Sequence, residues 1–287
     1  MLNYLLSYIS RTKCLLCQQR YEESSGVCSL CRENLYIDFS KSIKTINGQK
    51  IYFATNYSGQ ARKLMRLYKF GKAVSSDFES VLRKTFNSPE KRLAEFWADF
   101  LFEYWIENQT NILNDLALSE NSSGFDKFFN PNLRFFLAHI PSVKSRISAR
   151  GYDQSELIAK ALIKKISRYR PFWSYKYCPN LIQRIKDTEP LFSLSADRRV
   201  EILKGAFAIN AKYKLVFGFE KFQAKKSKCL DLGSLLLGGG LEQKNILLIV
   251  DDITTTGSTL LEAASLFKKQ ACFDEIILLA CAGNELA

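Results

Sequence analysis

The sequence lacks the features of exported and membrane-spanning chains. Its N-terminal apolar stretch, residues 1–10, is too short and too interrupted to cross a bilayer, and it lacks the basic segment and small-residue cleavage site of a secretory signal. There is no internal repeat. The single histidine, His139, ends an apolar run, where a packed residue is more common than a catalyst. These absences predict a cytoplasmic protein without a membrane span.

Acidic residues are too few to balance the basic ones. Lys and Arg number 41 against 29 Asp and Glu, so the formal net charge is +12. This excess favours phosphorylated or polyanionic partners, although a basic surface with no such role is equally consistent with it. Hydrophobic residues make up 47% and charged residues 24%, which is typical of a globular protein and excludes a disordered or fibrous one.

Four of the eight cysteines form a spaced set near the N-terminus. Cys14 and Cys17 make one Cys-x-x-Cys pair, and Cys28 and Cys31 make a second pair after ten intervening residues. In a reducing compartment, such pairs are typical of a closed, structural Zn²⁺ site with four thiolate ligands. A redox dithiol and an iron site are the alternatives. We therefore predict a zinc-ribbon-like module over residues 1–40, whose folding depends on the metal.

A long helix is predicted to begin at Ser88 and Pro89, because Ser88 can cap it and Pro89 suits its first position. Apolar side chains then recur at helical spacing, at Leu93, Phe96, Trp97, Phe100, Leu101, Tyr104 and Trp105. We interpret this aromatic stripe as core or as an interface. The polar run at 119–126 is predicted to be an exposed loop.

From about residue 131 the sequence alternates between strand and helix patterns. We predict strands at 134–140, 204–209, 246–250 and 275–281. Helices are predicted to begin near Asp153, which forms a capping box with Glu156, and near Ser258. This order predicts right-handed crossovers and an α/β fold with a parallel sheet flanked by helices.

Two adjacent acids, Asp251 and Asp252, follow the apolar strand at 246–250. Open α/β sheets bind ligands at the carboxyl ends of their strands. Neighbouring carboxylates at such a position can accept hydrogen bonds from a vicinal diol, such as the 2′- and 3′-hydroxyls of ribose. The alternative is a capped helix preceded by two solvated acids, and the cost of burying two carboxylates beside a strand disfavours it.

A turn rich in hydroxyl groups comes next, and it contains Thr254, Thr255, Thr256, Gly257, Ser258 and Thr259. Its hydroxyl and N–H groups lie at the positive end of the following helix, where they suit a phosphate dianion. Gly257 is expected to let the backbone approach that phosphate closely. The strand, the acids and the turn together therefore predict a site for a phosphorylated sugar.

The segment 249–259 resembles the binding motif of type I phosphoribosyltransferases. The resemblance implies a flavodoxin-like core that binds 5-phosphoribosyl-1-pyrophosphate with Mg²⁺, and a reaction in which a nucleophile displaces pyrophosphate from C1 of the sugar. It implies that Asp251 and Asp252 bind the ribose and that residues 254–259 bind the 5′-phosphate. Members that act on 6-oxopurines carry a carboxylate where Thr255 stands, so its absence argues against that substrate class.

Two polar stretches precede this motif. Lys144, Arg146 and Arg150 fall in a connection between a predicted strand and a predicted helix, where they could neutralise a pyrophosphate leaving group, or form a solvated basic turn. The stretch at 183–200 is long enough to be a mobile flap that closes over a ligand, and an ordinary surface loop carries equal weight.

Three segments resemble the ComF family of competence-associated proteins, namely 57–71, 149–159 and 184–207. Asp153 stands where that family has Asn, and the flap block at 184–207 lacks the family's Asn and one Gln. The family carries a similar four-cysteine ribbon, which supports zinc. The resemblance covers most of the chain and implies a phosphoribosyltransferase-like domain over 41–287, with insertions at 85–131 and 217–241.

Two functions from different classes follow. The first is a ComF-like protein that binds phosphoribosyl pyrophosphate with Mg²⁺ and is associated with DNA uptake. Such a protein could also transfer the phosphoribosyl group to an acceptor, but the sequence contains no recognisable acceptor pocket. The second is a non-catalytic accessory protein that keeps the fold and holds single-stranded DNA on its basic surface and the segment 57–72. A sensor that uses the sugar phosphate only as an effector is a third option.

Overall fold

The computed structural model describes residues 12–21, 26–70, 89–115, 133–169, 174–188, 194–216, 244–268 and 273–284. It is an α/β protein with a mostly parallel six-stranded sheet flanked by helices. The strands are β1 (Thr12–Lys13), β2 (Arg20–Tyr21), β3 (Ile43–Ile46), β4 (Gln49–Asn56), β5 (Leu133–His139), β6 (Ser174–Tyr177), β7 (Ile182–Arg184), β8 (Phe207–Ile209), β9 (Lys244–Thr254) and β10 (Glu275–Gly283). The helices are α1 (Ser29–Glu33), α2 (Gly59–Phe70), α3 (Pro89–Asp115), α4 (Lys144–Arg150), α5 (Gln154–Tyr169), α6 (Ala196–Leu203), α7 (Ala211–Val216) and α8 (Ser258–Lys268).

The main sheet has the strand order β3-β4-β10-β9-β5-β6. Only the edge pair β3 and β4 is antiparallel. The chain proceeds outwards from β5 to β6 in one direction, whereas β9 and β10 extend the sheet in the other direction. The order therefore reverses between β5 and β9, and such a reversal opens a crevice at the carboxyl ends of the two strands. The prediction of a central parallel strand at 246–250 is confirmed.

The two faces of β9 are covered by different elements. Leu248 packs in the cluster that includes α2, α3 and α5, whereas Ile249 packs in the cluster that includes α8 and the β7–β8 hairpin. This alternation is expected, because successive side chains of a strand point to opposite faces. Both faces of β9 are therefore covered, and a ligand can approach this strand only at its ends.

The predicted aromatic stripe lies in the core. All seven of its side chains on α3 are at most 5% exposed, and Trp97 and Phe100 are fully buried. Fully burying such a side chain contributes about 1.5–3 kcal/mol, which explains why this helix of 27 residues stays against the sheet. Among the described residues, no helix is both long enough and apolar enough to cross a bilayer.

The structure confirms several predicted elements and corrects others. The strands at 134–140 and 275–281 correspond to β5 and β10, and Pro89 is the first residue of α3. The strand predicted at 204–209 is wrong in extent, because β8 has three residues and pairs with β7 outside the main sheet. The connection that carries Lys144, Arg146 and Arg150 is the short helix α4. The predictions for the cap at Ser88, the loop at 119–126 and the insertion at 217–241 lie outside the described residues.

Candidate functional site

Asp251 and Asp252 lie in the carboxyl-terminal part of β9. The last pair between β5 and β9 joins His139 and Val250, whereas β10 still pairs with β9 through Gly283 and Thr254. The acids thus extend beyond the end of β5, at the crevice where the strand order reverses. Their residues are only 8% and 6% exposed, so both carboxylates need partners.

Asp251 is held by the start of α5. The hydroxyl of Ser155 donates to Asp251 Oδ1 at 2.9 Å, and the backbone N–H of Asp252 donates to the same oxygen at 2.8 Å. Burial raises the pKa of Asp251 to about 8, and the charge of Asp252 acts in the same direction, whereas Lys69 and Ser155 oppose them. Burial therefore favours the protonated form of this carboxyl group in the absence of a ligand.

Asp252 forms an ion pair with Lys69 of α2. The Lys69 Nζ lies 2.9 Å from Asp252 Oδ2, and the lysine side chain is 23% exposed. Lys69 is absent from the site residues predicted from the sequence, although the segment 57–71 that contains it was noted. The signal that could have revealed Lys69 is its position at the end of α2, a helix that directly follows β4 of the same sheet.

The turn at 255–257 joins β9 to α8, which begins at Ser258. Thr256 and Ser258 share a hydrogen bond of 2.8 Å between their hydroxyls, and Thr259 lies partly exposed in the first helical turn. The hydroxyl of Thr254 is buried and has no hydrogen-bond partner among the described residues. Hydroxyl groups and the helix N-terminus thus meet at one point, as the sequence predicts.

Gly257 has a packing role besides the predicted one. Its φ is +75°, a conformation that side chains rarely adopt. A Cβ atom at this position would lie 2.6 Å from the Cδ1 atoms of both Ile46 and Ile51. The glycine is therefore required where the turn packs against the β3–β4 hairpin.

Lys44 of β3 reaches the same turn. Its side chain is buried, with 6% of the residue exposed, and its Nζ donates to the carbonyl of Thr255 at 2.5 Å. The sequence prediction did not include Lys44, because the hairpin itself was not predicted. Asn47 and Gly48, with φ of 50° and 75°, form its two-residue turn, and an Asn-Gly pair between apolar runs is the signal that could have revealed it.

The predicted flap contacts the turn through Arg199 of α6. The Arg199 Nη1 donates to the Thr255 hydroxyl at 2.9 Å, and its Nε donates to the carbonyl of Leu194 at 3.0 Å. Residues 189–193 of this stretch lie outside the described part of the chain. Helix α6 of the flap is therefore docked on the candidate phosphate site through Arg199.

Two further arginines lie near enough to the acids for their charges to interact. Burial lowers the pKa of Arg184 on β7, and the charge of Arg146 adds to this effect, whereas Asp251 opposes it. Burial also lowers the pKa of Arg146, with Arg150 adding to it and Asp252 opposing it. Arg146 Nη2 and Arg184 Nε are buried without a hydrogen-bond partner among the described residues. These unused donors suit an anion beside the acids.

The other residues predicted in the basic stretch have different environments. Arg150 donates to the Gln154 side chain, and its guanidinium carbon lies 5.5 Å from the centre of the Phe70 ring. Lys144 is exposed, and no contact within the described residues connects it with the acids. The structure therefore brings Arg146 to the acids, places Arg150 beside α2, and leaves Lys144 on the surface.

Asp153 and His139 have structural partners. Asp153 accepts hydrogen bonds from the N–H of Ser142 at 2.7 Å and from the N–H of Glu156 at 3.4 Å, so it caps α5 and fixes the loop after β5. His139 is buried, its Nδ1 lies 3.1 Å from the Tyr177 hydroxyl, and burial lowers its pKa. The histidine is a packed residue, as expected.

A second candidate site lies at the N-terminus. The Sγ atoms of Cys14, Cys17, Cys28 and Cys31 all lie within 4.8 Å of one another, and those of Cys17 and Cys28 are 3.8 Å apart. Tetrahedral zinc with Zn–S bonds of about 2.3 Å requires sulfur atoms about 3.8 Å apart. The close approach of the four cysteines is therefore compatible with a structural zinc site.

The backbone favours a thiolate in this cluster. Burial acts to raise the pKa of Cys14, but backbone N–H groups near its sulfur, including those of Cys28 and Leu16 at 3.4 Å, lower it to about 7. A thiolate is the form that binds a metal. Burial raises the pKa of Cys28 and Cys31, so these two thiols need a cation to ionise.

The cysteine cluster is seated on α3 and β4. Arg32 lies 2.7 Å from the Glu103 carboxylate, and the Tyr36 hydroxyl donates to the same group at 2.5 Å. The Thr55 hydroxyl donates to the carbonyl of Leu35 at 2.5 Å. The cluster therefore shares its core with the α/β sheet.

At the carboxyl edge of β9, two acids, a hydroxyl-rich turn and cations from β3, α2, α4, β7 and α6 converge. This set suits a ligand that has both vicinal hydroxyls and anionic groups. A scan of the chain against protein-family models and a search of curated proteins find no match. The function must therefore be inferred from the residues and their geometry.

Proposed function

We propose that this protein is a ComF-like protein with a type I phosphoribosyltransferase domain, and that it binds 5-phosphoribosyl-1-pyrophosphate with Mg²⁺. One observation carries the proposal: Asp251 and Asp252 lie in the carboxyl-terminal part of a central parallel strand, at the point where the strand order reverses, and this strand leads into a hydroxyl-rich turn at a helix N-terminus. The α/β fold supports it, because this edge is where such sheets hold ligands.

Each part of the site would hold one part of the ligand. Asp251 and Asp252 accept hydrogen bonds from the ribose hydroxyls, and the turn at 254–259 donates to the 5′-phosphate. The unused donors of Arg146 and Arg184 bind the pyrophosphate. Mg²⁺ prefers oxygen ligands and is often held by one or two carboxylates together with substrate phosphates, so the ligand supplies most of its coordination.

In a transfer reaction, an acceptor nucleophile forms a bond to C1 of the ribose. The C1–oxygen bond breaks, and pyrophosphate leaves with the bonding electrons. Arg146 and Arg184 would stabilise the charge that develops on this leaving group. Thr255 stands where members that act on 6-oxopurines carry a carboxylate, and its hydroxyl accepts from Arg199, which argues against a 6-oxopurine acceptor.

Calorimetric titration of the full chain tests the proposal. Wild-type protein is expected to bind phosphoribosyl pyrophosphate saturably in the presence of Mg²⁺. The double substitution Asp251→Asn and Asp252→Asn is expected to lower the affinity at least about 100-fold, because each Asn replaces one acceptor oxygen with an NH2 donor and the negative charge of the pair is lost.

The control is Asp197→Asn, which replaces an exposed acid on α6 and is expected to bind like the wild type. An absence of both heat and thermal stabilisation with the wild type would refute the proposal. Release of pyrophosphate in a screen of acceptors would identify the nucleophile.

A second candidate, single-stranded DNA binding without transfer, is favoured by the outer face of α2. Arg62, Lys63 and Arg66 are exposed there, and Phe70 is 46% exposed at its end. Cations interleaved with an aromatic ring suit phosphates and stacked bases. DNA binding that weakens steeply with salt and survives Asp251→Asn with Asp252→Asn would favour this candidate.

We also propose that the four clustered cysteines hold structural Zn²⁺ and that the protein acts in the cytoplasm, in association with DNA uptake. The zinc is supported by the spacing of the sulfur atoms. A reducing compartment is consistent with it, because thiols there remain available for metal binding.

A further inference from the structure

Lys44 is an unusual residue for an edge strand. It is 6% exposed, and its Nζ donates to the Thr255 carbonyl at 2.5 Å. Within the described part of the chain it has no carboxylate partner and no other hydrogen bond. An ammonium group has three donors, so two of them have no partner among the described residues at this buried position. Burial of an unpaired cation is costly, and burial lowers the pKa of Lys44 accordingly.

The position of the ammonium group is fixed by the packing of β3 on the turn at 255–257. Ile46, two residues further along β3, lies so close to Gly257 that a Cβ on the glycine would be 2.6 Å from its Cδ1 atom. The strand therefore cannot move away from the turn without opening this contact. The lysine is held at the turn that begins α8.

A second buried polar group belongs to the same turn region. The hydroxyl of Thr254 is buried without a partner among the described residues, and Thr254 is 3% exposed. Two buried donors thus belong to neighbouring residues before the N-terminus of α8, namely the Lys44 ammonium at the Thr255 carbonyl and the Thr254 hydroxyl, and such a place suits an anion. An anion there would supply acceptors to both groups and would offset the buried charge.

We propose that Lys44 is a ligand of the phosphate group at this turn, so that the antiparallel edge strand β3 forms part of the binding site. Because the phosphate is the 5′-phosphate of the proposed ligand, this role rests on the proposed function. Lys44 then gives the turn a full positive charge, whereas backbone N–H groups and hydroxyls provide only partial charges. The site thereby selects sugars that carry a phosphate at this end.

The two anionic ends of the ligand would consequently depend on different residues. Lys44 acts on the 5′-phosphate, and Arg146 with Arg184 acts on the pyrophosphate. A substitution of Lys44 should therefore change the affinity for one end only. This separation distinguishes a ligand contact from a general effect on folding.

The test is calorimetric titration of the full chain with three ligands: phosphoribosyl pyrophosphate with Mg²⁺, ribose 5-phosphate, and pyrophosphate with Mg²⁺. Lys44→Gln keeps a donor for the Thr255 carbonyl but removes the charge. This variant is expected to lower the affinity for the first two ligands about 10- to 100-fold, because a hydrogen bond to a charged group is lost. Its affinity for pyrophosphate is expected to be unchanged.

Two further variants serve as controls. Lys44→Arg keeps the charge and is expected to retain most of the affinity for ribose 5-phosphate. Lys41→Gln removes an exposed lysine just before the same hairpin and is expected to bind all three ligands like the wild type.

The outcomes separate this role from the proposed function. Equal weakening of all three ligands by Lys44→Gln, or no weakening of ribose 5-phosphate, would overturn the role of Lys44 while the wild type still binds the sugar pyrophosphate. If the wild type binds no sugar phosphate, the proposed function fails. In that case, stabilisation by inorganic phosphate in a thermal melt, present in the wild type and absent in Lys44→Gln, would keep Lys44 as an anion ligand, and its absence would overturn both.

Discussion

The cysteine cluster and the acidic edge of β9 are organised in opposite ways. The cysteines lie on short turns and the five-residue helix α1, with two-residue strands beside them. The acids lie at the end of an eleven-residue strand that is paired on both sides. The first site has little regular structure of its own, whereas the second is built into the centre of the sheet.

This difference indicates what each site requires. Four thiols within 4.8 Å of one another repel when they ionise, so their arrangement needs a cation. Two neighbouring carboxylates also repel, but Lys69 and Ser155 within the fold offset part of this repulsion. We therefore expect the N-terminal site to depend on its metal for folding, and the acidic site to be present before its ligand arrives.

Removal of the metal is the strongest way to test this contrast. Chelation, or Cys31→Ser, is expected to abolish stoichiometric zinc binding and to destabilise the cysteine module by on the order of 5 kcal/mol or more, because metal binding supplies its folding free energy. Metal analysis and thermal melts would measure both effects. Cys178→Ser, at a buried cysteine outside the cluster, should leave the zinc content unchanged. Retention of full stability without zinc would contradict the expectation that the cysteine module needs its metal to fold.

The dependence of stability on pH tests whether the acidic site is strained without a ligand. The pKa of Asp251 is raised to about 8 in the folded protein. Its protonated form is therefore favoured by folding, so the stabilisation is complete below the unfolded value near 4 and is lost as the pH rises towards 8.

Wild-type protein is accordingly expected to lose stability relative to Asp251→Asn as the pH rises, at a rate of up to about 1.4 kcal/mol per pH unit between about pH 4 and 8. Denaturant titrations of both proteins at several pH values would measure this difference. Parallel curves for the two proteins would show that Asp251 ionises without cost, and the acidic site would then be less constrained than the structure indicates.

Substitution of Lys69 tests how much the ion pair with Asp252 stabilises the acidic site. Lys69→Met removes the partner of Asp252 and a charge that lowers the pKa of Asp251. Because the lysine is partly exposed, we expect a loss of only about 1–2 kcal/mol in unfolding free energy at pH 8. Lys63→Met, on the exposed face of the same helix, should have no effect in the same denaturant titration. An equal loss in both variants would contradict a role for the ion pair.

The smallest effect concerns how the cysteine module is seated. Glu103→Gln removes the charge that Arg32 and Tyr36 contact, but its side chain is 37% exposed. We expect a loss of about 0.5–1 kcal/mol and no change in zinc content, as measured by thermal melts and metal analysis. Glu107→Gln, at an exposed position on the same helix, is the matched control. A loss of zinc in Glu103→Gln would mean that α3, and not the metal, organises the cluster.

The acidic site shows which parts of a site a sequence can predict. The acids and the turn were found because Asp251 through Thr259 are contiguous and combine a buried strand, two carboxylates and a helix start. The central strand, α5 and α8 were found for the same reason, since periodicity and caps are local features.

Apart from Arg146, the individual cations of the site could not be found in that way. Lys44 lies 211 positions from its partner Thr255, and only the order of strands in the sheet brings them together. Lys69 on α2 and Arg184 on β7 likewise belong to elements that are distant in sequence from the acids on β9. The side chains of Lys44 and Lys69 do not by themselves identify a site, because a lysine beside apolar residues is equally typical of an exposed strand or helix face.

Helix α3 has a consequence for how this chain can be divided. Its residue Phe100 contacts the ring of Tyr36, 4.8 Å away between ring centres, while Trp105 packs on Phe135 of the sheet. A fragment that begins at residue 41 lacks Tyr36, and it would therefore expose the aromatic surface around Phe100 to water. Such a fragment should aggregate readily. The small cysteine-bearing module therefore covers an apolar surface that the larger part cannot expose and remain monodisperse.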